Sequence, residues 1–376
     1  MKFADIPGHA KVKNELIQTV TSGRIPHAQM FIGEDGSASL AMALAYAQFL
    51  ACDQKQDGDS CGKCPSCVQH QGMTHPDLHF TYPAGKSKDN KDGSCKSYLP
   101  QWRQMIQENH FPTSSQWNIY AGLEGKFLQI GVAESKDILS DFSLKSYSGG
   151  YKILILWMPE ALHTSASNKL LKFIEEPEPG SLILLVSHNS EKVLGTILSR
   201  TQQTRIPKLT FEELVNHLIH VENKSQSEAE IAALASNGNI GEALDILENP
   251  ERELGFAADF VQWMRFAVMA NLPELVKFSE AMAKKNKDAA RDFLKFSLRI
   301  IDHCLQLRYI NKPTGDAIFE PAGFKIEKFA PYIKPANAGV FYKEMNSAIY
   351  EMERNVNPKF IWLDMSVELS KALRVK

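Results

Sequence analysis

Four cysteines stand close together in the first part of the chain: Cys52, Cys61, Cys64 and Cys67, spaced C-x8-C-x2-C-x2-C. In a reducing compartment this density argues for a bound metal rather than disulfides, because four thiolates form the tetrahedral sulfur shell that zinc prefers. An iron–sulfur cluster is the chemical competitor, and free structural thiols are the bland account. Gly62 and Pro65 keep the chain turning between the cysteines. His70, His75 and His79 lie nearby, but four sulfurs already complete a tetrahedral shell. A closed shell also leaves no position for substrate or water, so such a site would be structural. Cys95 and Cys304 are isolated and read as ordinary thiols.

A second candidate is the stretch Gly33-Glu34-Asp35-Gly36-Ser37-Ala38-Ser39-Leu40. It follows the short apolar run Met30-Phe31-Ile32 and enters an alanine-rich helix from Ala41 to about Cys52. Strand, glycine turn and helix are the context of a phosphate-binding loop, whose backbone N–H groups and helix N-terminus attract phosphate. Aligned on Gly33 and Gly36, however, the phosphate-binding lysine position holds Ser39 and the magnesium-binding hydroxyl position holds Leu40. Charge neutralisation and metal ligation are both lost, so tight ATP binding is not expected. A tight turn leading into a core helix is the competing reading.

The elements that position these residues are organised around 150–208. Ile153-Leu154-Ile155-Leu156 and Leu182-Ile183-Leu184-Leu185-Val186 have the length of buried strands and frame a helix, giving a β-α-β unit of a parallel sheet. Asn168, Leu170, Leu171 and Ile174 keep a helical period, and Glu175-Glu176-Pro177 ends it, since proline disfavours helical geometry in the residue before it. A helix from Val12 to about Val20 and another from Ala133 to about Phe142 complete the layer around the strands.

The run Asn168-Lys169-Leu170-Leu171-Lys172-Phe173-Ile174-Glu175-Glu176-Pro177, followed by Thr196-Ile197-Leu198-Ser199-Arg200, resembles the central signature of the bacterial clamp-loader AAA+ family. The cysteine spacing and the Gly23-Arg24-Ile25-Pro26-His27-Ala28 stretch are similar to the same family. The resemblance implies an α/β AAA+ fold: a RecA-like parallel sheet with helices on both faces, then a small helical lid domain and an all-α collar domain. In that family the first strand of the unit ends in a magnesium-binding Asp-Glu pair; here the positions hold Trp157 and Met158, neither of which ligates magnesium. The arginine of the family's Ser-Arg-Cys motif, which reaches a neighbouring subunit's nucleotide, matches Arg200, with Thr201 in place of the cysteine. Asn239-Ile240-Gly241-Glu242 is similar to the second-sensor region, with Glu242 where the arginine stands.

Keeping the finger while losing the metal site resembles the delta prime branch of the family. The implied role is a subunit without ATPase activity of its own that helps a DNA polymerase III clamp loader place the sliding clamp on primed DNA. Gamma/tau and delta subunits would be its partners, ATP being bound by the partners and zinc held here by the four cysteines. An active ATPase with degenerate motifs and a zinc-containing DNA-binding protein outside replication are the rival functions.

At 376 residues and 44% apolar composition the chain is long enough for two or three cored domains. The expected division is 1–207 for the AAA+ domain, 208–250 for the lid and 251–376 for the collar. No run approaches 18 uninterrupted apolar residues, and Met1-Lys2-Phe3-Ala4-Asp5 lacks the apolar core of a signal peptide, so a cytoplasmic protein without a membrane partner is expected. The net charge of -2 excludes nothing, and residues 251–376 carry 20 Lys and Arg against 16 Asp and Glu, too small an excess to argue nucleic-acid binding. Residues 83–126 read as an insertion relative to the family: a polar stretch, Gly85 to Ser94, then Trp102, Ile106 and Trp117 as possible anchors of helical turns. Thr210 with Glu213 forms a capping box, 227–247 gives two short helices broken at Asn237-Gly238-Asn239, and Asn355-Val356-Asn357-Pro358-Lys359 precedes the final helix.

Overall fold

The structure is a computed structural model that describes residues 1–87, 90–126, 128–310, 325–354 and 356–374. Lys88 and Asp89 of the polar stretch, and Asn355 before the final helix, lie outside the described residues. The described chain divides into two compact units. One comprises 1–217 with 238–242, the other 218–237 with 243–376.

The first unit is built on five parallel strands, β1 (Ala28–Ile32), β2 (Leu78–Thr81), β3 (Lys152–Trp157), β4 (Ser181–Ser187) and β5 (Gln202–Arg205), in the order β2-β3-β4-β1-β5. The central pair β3 and β4 is in register from Lys152 opposite Ser181 to Trp157 opposite Val186, and every residue of both is buried. Burial on both faces is why these strands appear in the sequence as unbroken aliphatic runs rather than alternating ones.

Alternate side chains serve the two faces. Met30, Leu154, Leu156, Ile183 and Leu185 share one core with Ile138, Phe142, Leu170 and Ile174. Those helical residues belong to α6 (Val132–Phe142) and α7 (Thr164–Glu175). On the opposite face lies α2 (Ser39–Ala51), buried from Ser39 to Leu50 and packed on β1, β3 and β4. Helices α1 (Ala10–Thr21), α3 (Pro65–Gln71) and α8 (Gly195–Leu198) complete this part of the unit. It is the RecA-like AAA+ arrangement that the resemblance implies.

Residues 83–126 contribute α4 (Leu99–Glu108) and α5 (Ser114–Tyr120). Trp102 and Trp117 are fully buried and form one aromatic cluster with Tyr82: Trp102 stacks on Tyr82 with centroids 4.2 Å apart, and Trp117 meets Tyr82 edge-on at 4.8 Å. The segment is anchored in the unit by its tryptophans, although its sequence is polar at the start.

From residue 211 onward the described chain forms helices and no strands: α9 (Phe211–His220), α10 (Gln226–Ala235), α11 (Ile240–Glu248), α12 (Pro250–Val268), α13 (Leu272–Met282), α14 (Lys287–Ile310), α15 (Ile326–Phe329), α16 (Pro335–Glu353) and α17 (Pro358–Leu373). Thr210 and Glu213 exchange the two hydrogen bonds of a capping box at the start of α9. Asn357 caps α17, accepting from the Lys359 amide, with Pro358 at its first position. The second unit's core gathers Phe260, Trp263, Phe293, Phe341 and Trp362, and the Trp263 indole donates to Ser366 Oγ at 2.9 Å. No helix of the described residues is long and apolar enough to cross a membrane.

Candidate functional site

The four cysteines of the motif come together between the end of α2 and the first turn of α3. Their sulfur atoms all lie within 4.8 Å of one another, and Cys61 and Cys67 are 3.9 Å apart. Sulfurs bound to one tetrahedral zinc at about 2.3 Å would stand about 3.8 Å apart, so the cage fits such an ion after small side-chain rotations. The backbone prepares the sulfurs for negative charge. The amides of Lys63 and Cys64 donate to Cys61 Sγ at 3.4 and 3.3 Å, that of Cys61 to Cys52 Sγ at 3.3 Å, and that of Cys67 to Cys64 Sγ at 3.4 Å. The donors to Cys61 lower its thiol to about 6, whereas burial pushes the Cys52 thiol up. None of the three nearby histidines belongs to the cage. His70 donates from Nδ1 to the Ser66 carbonyl at 2.9 Å, and its ring lies 4.4 Å from that of His75.

The glycine loop sits at the carboxyl end of β1, where α2 begins, beside an open cleft of about 580 Å³ whose lining includes Gly33, Glu34, Ser37, His188, Arg205 and Asn239. The loop is closed on itself. Ser37 donates its amide to Glu34 O at 2.9 Å, the Ser39 amide donates to Ser37 Oγ at 3.4 Å, and the Ser37 hydroxyl donates to Ser39 Oγ at 3.1 Å. Two amides of the kind that a phosphate-binding loop turns toward its ligand, those of Ser37 and Ser39, are here used within the protein. Ser39 and Leu40, at the lysine and magnesium-ligand positions, are buried at 1% and 2% exposure.

Trp157, at the first magnesium-carboxylate position, is fully buried, and its indole donates to His188 Nε2 at 3.1 Å. An indole nitrogen can only donate, so Nε2 is the accepting nitrogen and the imidazole proton resides on Nδ1. That nitrogen faces Asp35 Oδ1 at 3.3 Å. The Asp35 carboxylate in turn accepts from the amide and hydroxyl of Ser114, at 2.7 and 2.6 Å. This Trp-His-Asp-Ser chain cannot work as a hydrolytic triad, because the serine donates to the aspartate rather than to the histidine, whose far nitrogen is held by the indole. Met158 adopts a left-handed backbone at φ 60° and turns the chain out of β3.

Arg200 follows α8 and is not among the residues lining the cleft. Its Nε donates to Glu175 Oε2 at 2.7 Å and its Nη1 to the Thr196 carbonyl at 3.1 Å, with the side chain about one-third exposed. The structure therefore assembles the cysteines into one cage, places Gly33 and Gly36 in the turn and Ser39 and Leu40 at the start of α2, and leaves Arg200 apart from both.

The sequence gives no sign of Ser114 or His188, and it marks Asp35 and Asn239 only as members of longer stretches, with no role of their own. Their partners lie 79 and 204 positions apart in the pairs 35–114 and 35–239, beyond any local pattern. One local signal was present: Thr113 and Gln116 form a capping box, which fixes the start of α5 and so places Ser114.

A family model described as DNA polymerase III, delta subunit, matches residues 8–210 of this chain. The DNA polymerase III subunit delta' of Bacillus subtilis is 24% identical over 241 residues, which are 64% of this chain and 60% of that protein. The subunit delta' of Haemophilus influenzae is 25% identical over 299 residues, 78% of each chain, and that of Pseudomonas aeruginosa is 26% identical over 187 residues, 49% of this chain and 45% of its own. The match thus spans less than two thirds of the Bacillus relative. The matched segment runs from the turn before α1 to the capped start of α9 and contains the cysteine cage, the closed glycine loop and Arg200. With more than half of its length matched in this way, the chain belongs to the DNA polymerase III delta subunit family.

Proposed function

We propose that the chain is a clamp-loader subunit that does not hydrolyse ATP itself, holds a structural zinc ion, and offers Arg200 to the nucleotide of a neighbouring subunit. The observation that carries this reading is Trp157: a fully buried indole, hydrogen-bonded to His188, stands where a magnesium-binding carboxylate is required. The loop amides spent on Glu34 and Ser37 support it further. Cys52, Cys61, Cys64 and Cys67 would hold the zinc, and four sulfurs give it a closed shell, so it contributes folding energy rather than catalysis.

In this reading gamma/tau subunits bind ATP, a delta subunit completes the complex, and the assembly places a sliding clamp on primed DNA. Among the described residues Glu175, Thr196 and Ser199 engage Nε and Nη1 of Arg200 and none engages Nη2, so a guanidinium edge would remain for a neighbour. An arginine finger stabilises charge developing on the transferred phosphoryl group, an effect worth about 10³–10⁵ in rate at the site it serves. The test is reconstitution with gamma/tau, delta, clamp and primed DNA. Arg200→Ala should assemble normally but lower DNA-stimulated ATP hydrolysis and clamp loading, more mildly than at a single-site enzyme because one of several sites is affected. Arg200→Lys should rescue poorly, since a point charge lacks the planar fork. An alanine variant that loads clamps at the unmodified rate would reduce Arg200 to a surface residue.

A further inference from the structure

The inserted segment reaches the glycine loop, and three distant stretches of chain meet there. Besides the two hydrogen bonds from Ser114 to the Asp35 carboxylate, the Asn239 side-chain amide donates to the Asp35 carbonyl at 2.8 Å and the Gly241 amide donates to the Gly36 carbonyl at 2.9 Å. The approach is close enough to require glycine on both sides. Gly36 has φ +82°, and a Cβ there would lie 2.9 Å from Asn239 Oδ1 and 3.1 Å from Thr113 Cγ2. A Cβ on Gly241 would collide with the Phe111 carbonyl oxygen and lie 2.6 Å from the Gly36 carbonyl oxygen. The same insertion packs Trp102 against Trp157 with ring centroids 5.3 Å apart. All of these residues belong to the first compact unit.

We propose that the inserted segment, through Phe111, Ser114 and Trp102, is a latch that holds the glycine loop and the 239–241 stretch in one conformation without a ligand. Loops of this kind are ordered in other proteins by a bound phosphate, whose charge draws the amides together. Here the insertion meets the same loop with the hydroxyl and amide of Ser114, and sets the Phe111 carbonyl against Gly241. The cleft of about 580 Å³ stays open because the latch engages the turn at Asp35 and Gly36, and neither Phe111 nor Ser114 lines the cleft. The inference rests on reading the loop as nucleotide-free, and the variants below test the latch whether or not that reading holds.

Hydrogen exchange measured by mass spectrometry on the full chain decides the matter. Gly241→Ala forces apart the three-way approach, and Ser114→Ala removes one hydroxyl without adding an atom. In each variant, peptides covering 33–40, 109–116 and 238–242 should exchange together, about tenfold faster or more, while those covering β3 and β4 stay as protected as before. Millimolar ATP should leave all of these rates unchanged in the unmodified chain. If Gly241→Ala also exposes β3 and β4, the conservative Ser114→Ala decides alone. Unchanged exchange at 33–40 in Ser114→Ala, or faster exchange there without any change at 238–242, would overturn the latch, whereas protection of 33–40 by ATP in the unmodified chain would overturn the nucleotide-free reading.

Discussion

The cysteine cage and the glycine loop are two ligand-type motifs on the same unit, one at each end of α2, and they have fared differently. In the cage the four donors are complete and the neighbouring amides point at sulfur, so the local backbone is arranged to stabilise the thiolates that a metal ion would take. In the loop the amides of Ser37 and Ser39 point at Glu34 and Ser37, and the positions that the resemblance assigns to a cation-binding carboxylate and a phosphate-binding lysine hold Trp157 and Ser39.

The largest expected effect lies on the cage side of this contrast. Cys64→Ser should abolish stoichiometric zinc and destabilise the first unit by several kcal/mol, because metal binding is coupled to folding. Elemental analysis with calorimetry checks it: a purified chain without metal, or one with the visible bands of iron and sulfur, would erase the contrast from that side. On the loop side, Trp157→Ala should cost about 3–5 kcal/mol for a buried cavity. Trp157→Phe keeps most of the volume but strands His188 Nε2, and should cost about 1–3 kcal/mol. Urea unfolding separates the two, and equal costs would mean that the indole hydrogen bond is idle.

Much of this contrast was legible in the sequence, for a physical reason. The cage is local: Cys61, Cys64 and Cys67 lie within seven consecutive positions, so spacing alone specifies the geometry. The sheet was legible because β3 and β4 are buried on both faces and therefore appear as uninterrupted aliphatic runs. That Ser39, Leu40 and Trp157 offer no ammonium, hydroxyl or carboxylate was legible because each falls at a defined offset from a glycine or a strand end. What surrounds them was not. Ser114 finds Asp35 only through the path of the insertion, and His188 finds Trp157 only because β3 and β4 run side by side. The insertion's opening residues, Gly85 to Ser94, are polar, yet Asn90 within them is buried and accepts from the Gly93 amide at 2.9 Å.

A smaller effect concerns acid. Burial, only partly offset by the hydrogen bond to Ser66, lowers the His70 imidazole from its ordinary 6.5 to about 4. Between those values the unfolded chain takes up a proton that the folded chain refuses. Stability is therefore complete above about pH 6.5 and falls as pH drops toward 4, by up to about 3 kcal/mol for this one group. In His70→Gln that part of the slope should vanish when unfolding is followed from pH 7 to 4.5 under the same metal conditions. An unchanged slope would assign the acid sensitivity to other groups.

The most direct test of the account is a calorimetric titration of the isolated, zinc-loaded chain with magnesium ATP, followed by a hydrolysis assay on the same sample. The account predicts no binding in the micromolar range and no turnover, and the same result after Ser39→Lys alone, because Trp157 would still stand in place of a magnesium ligand. Micromolar affinity in the unmodified chain, or measurable hydrolysis by it, would contradict the account and return the protein to the active ATPases.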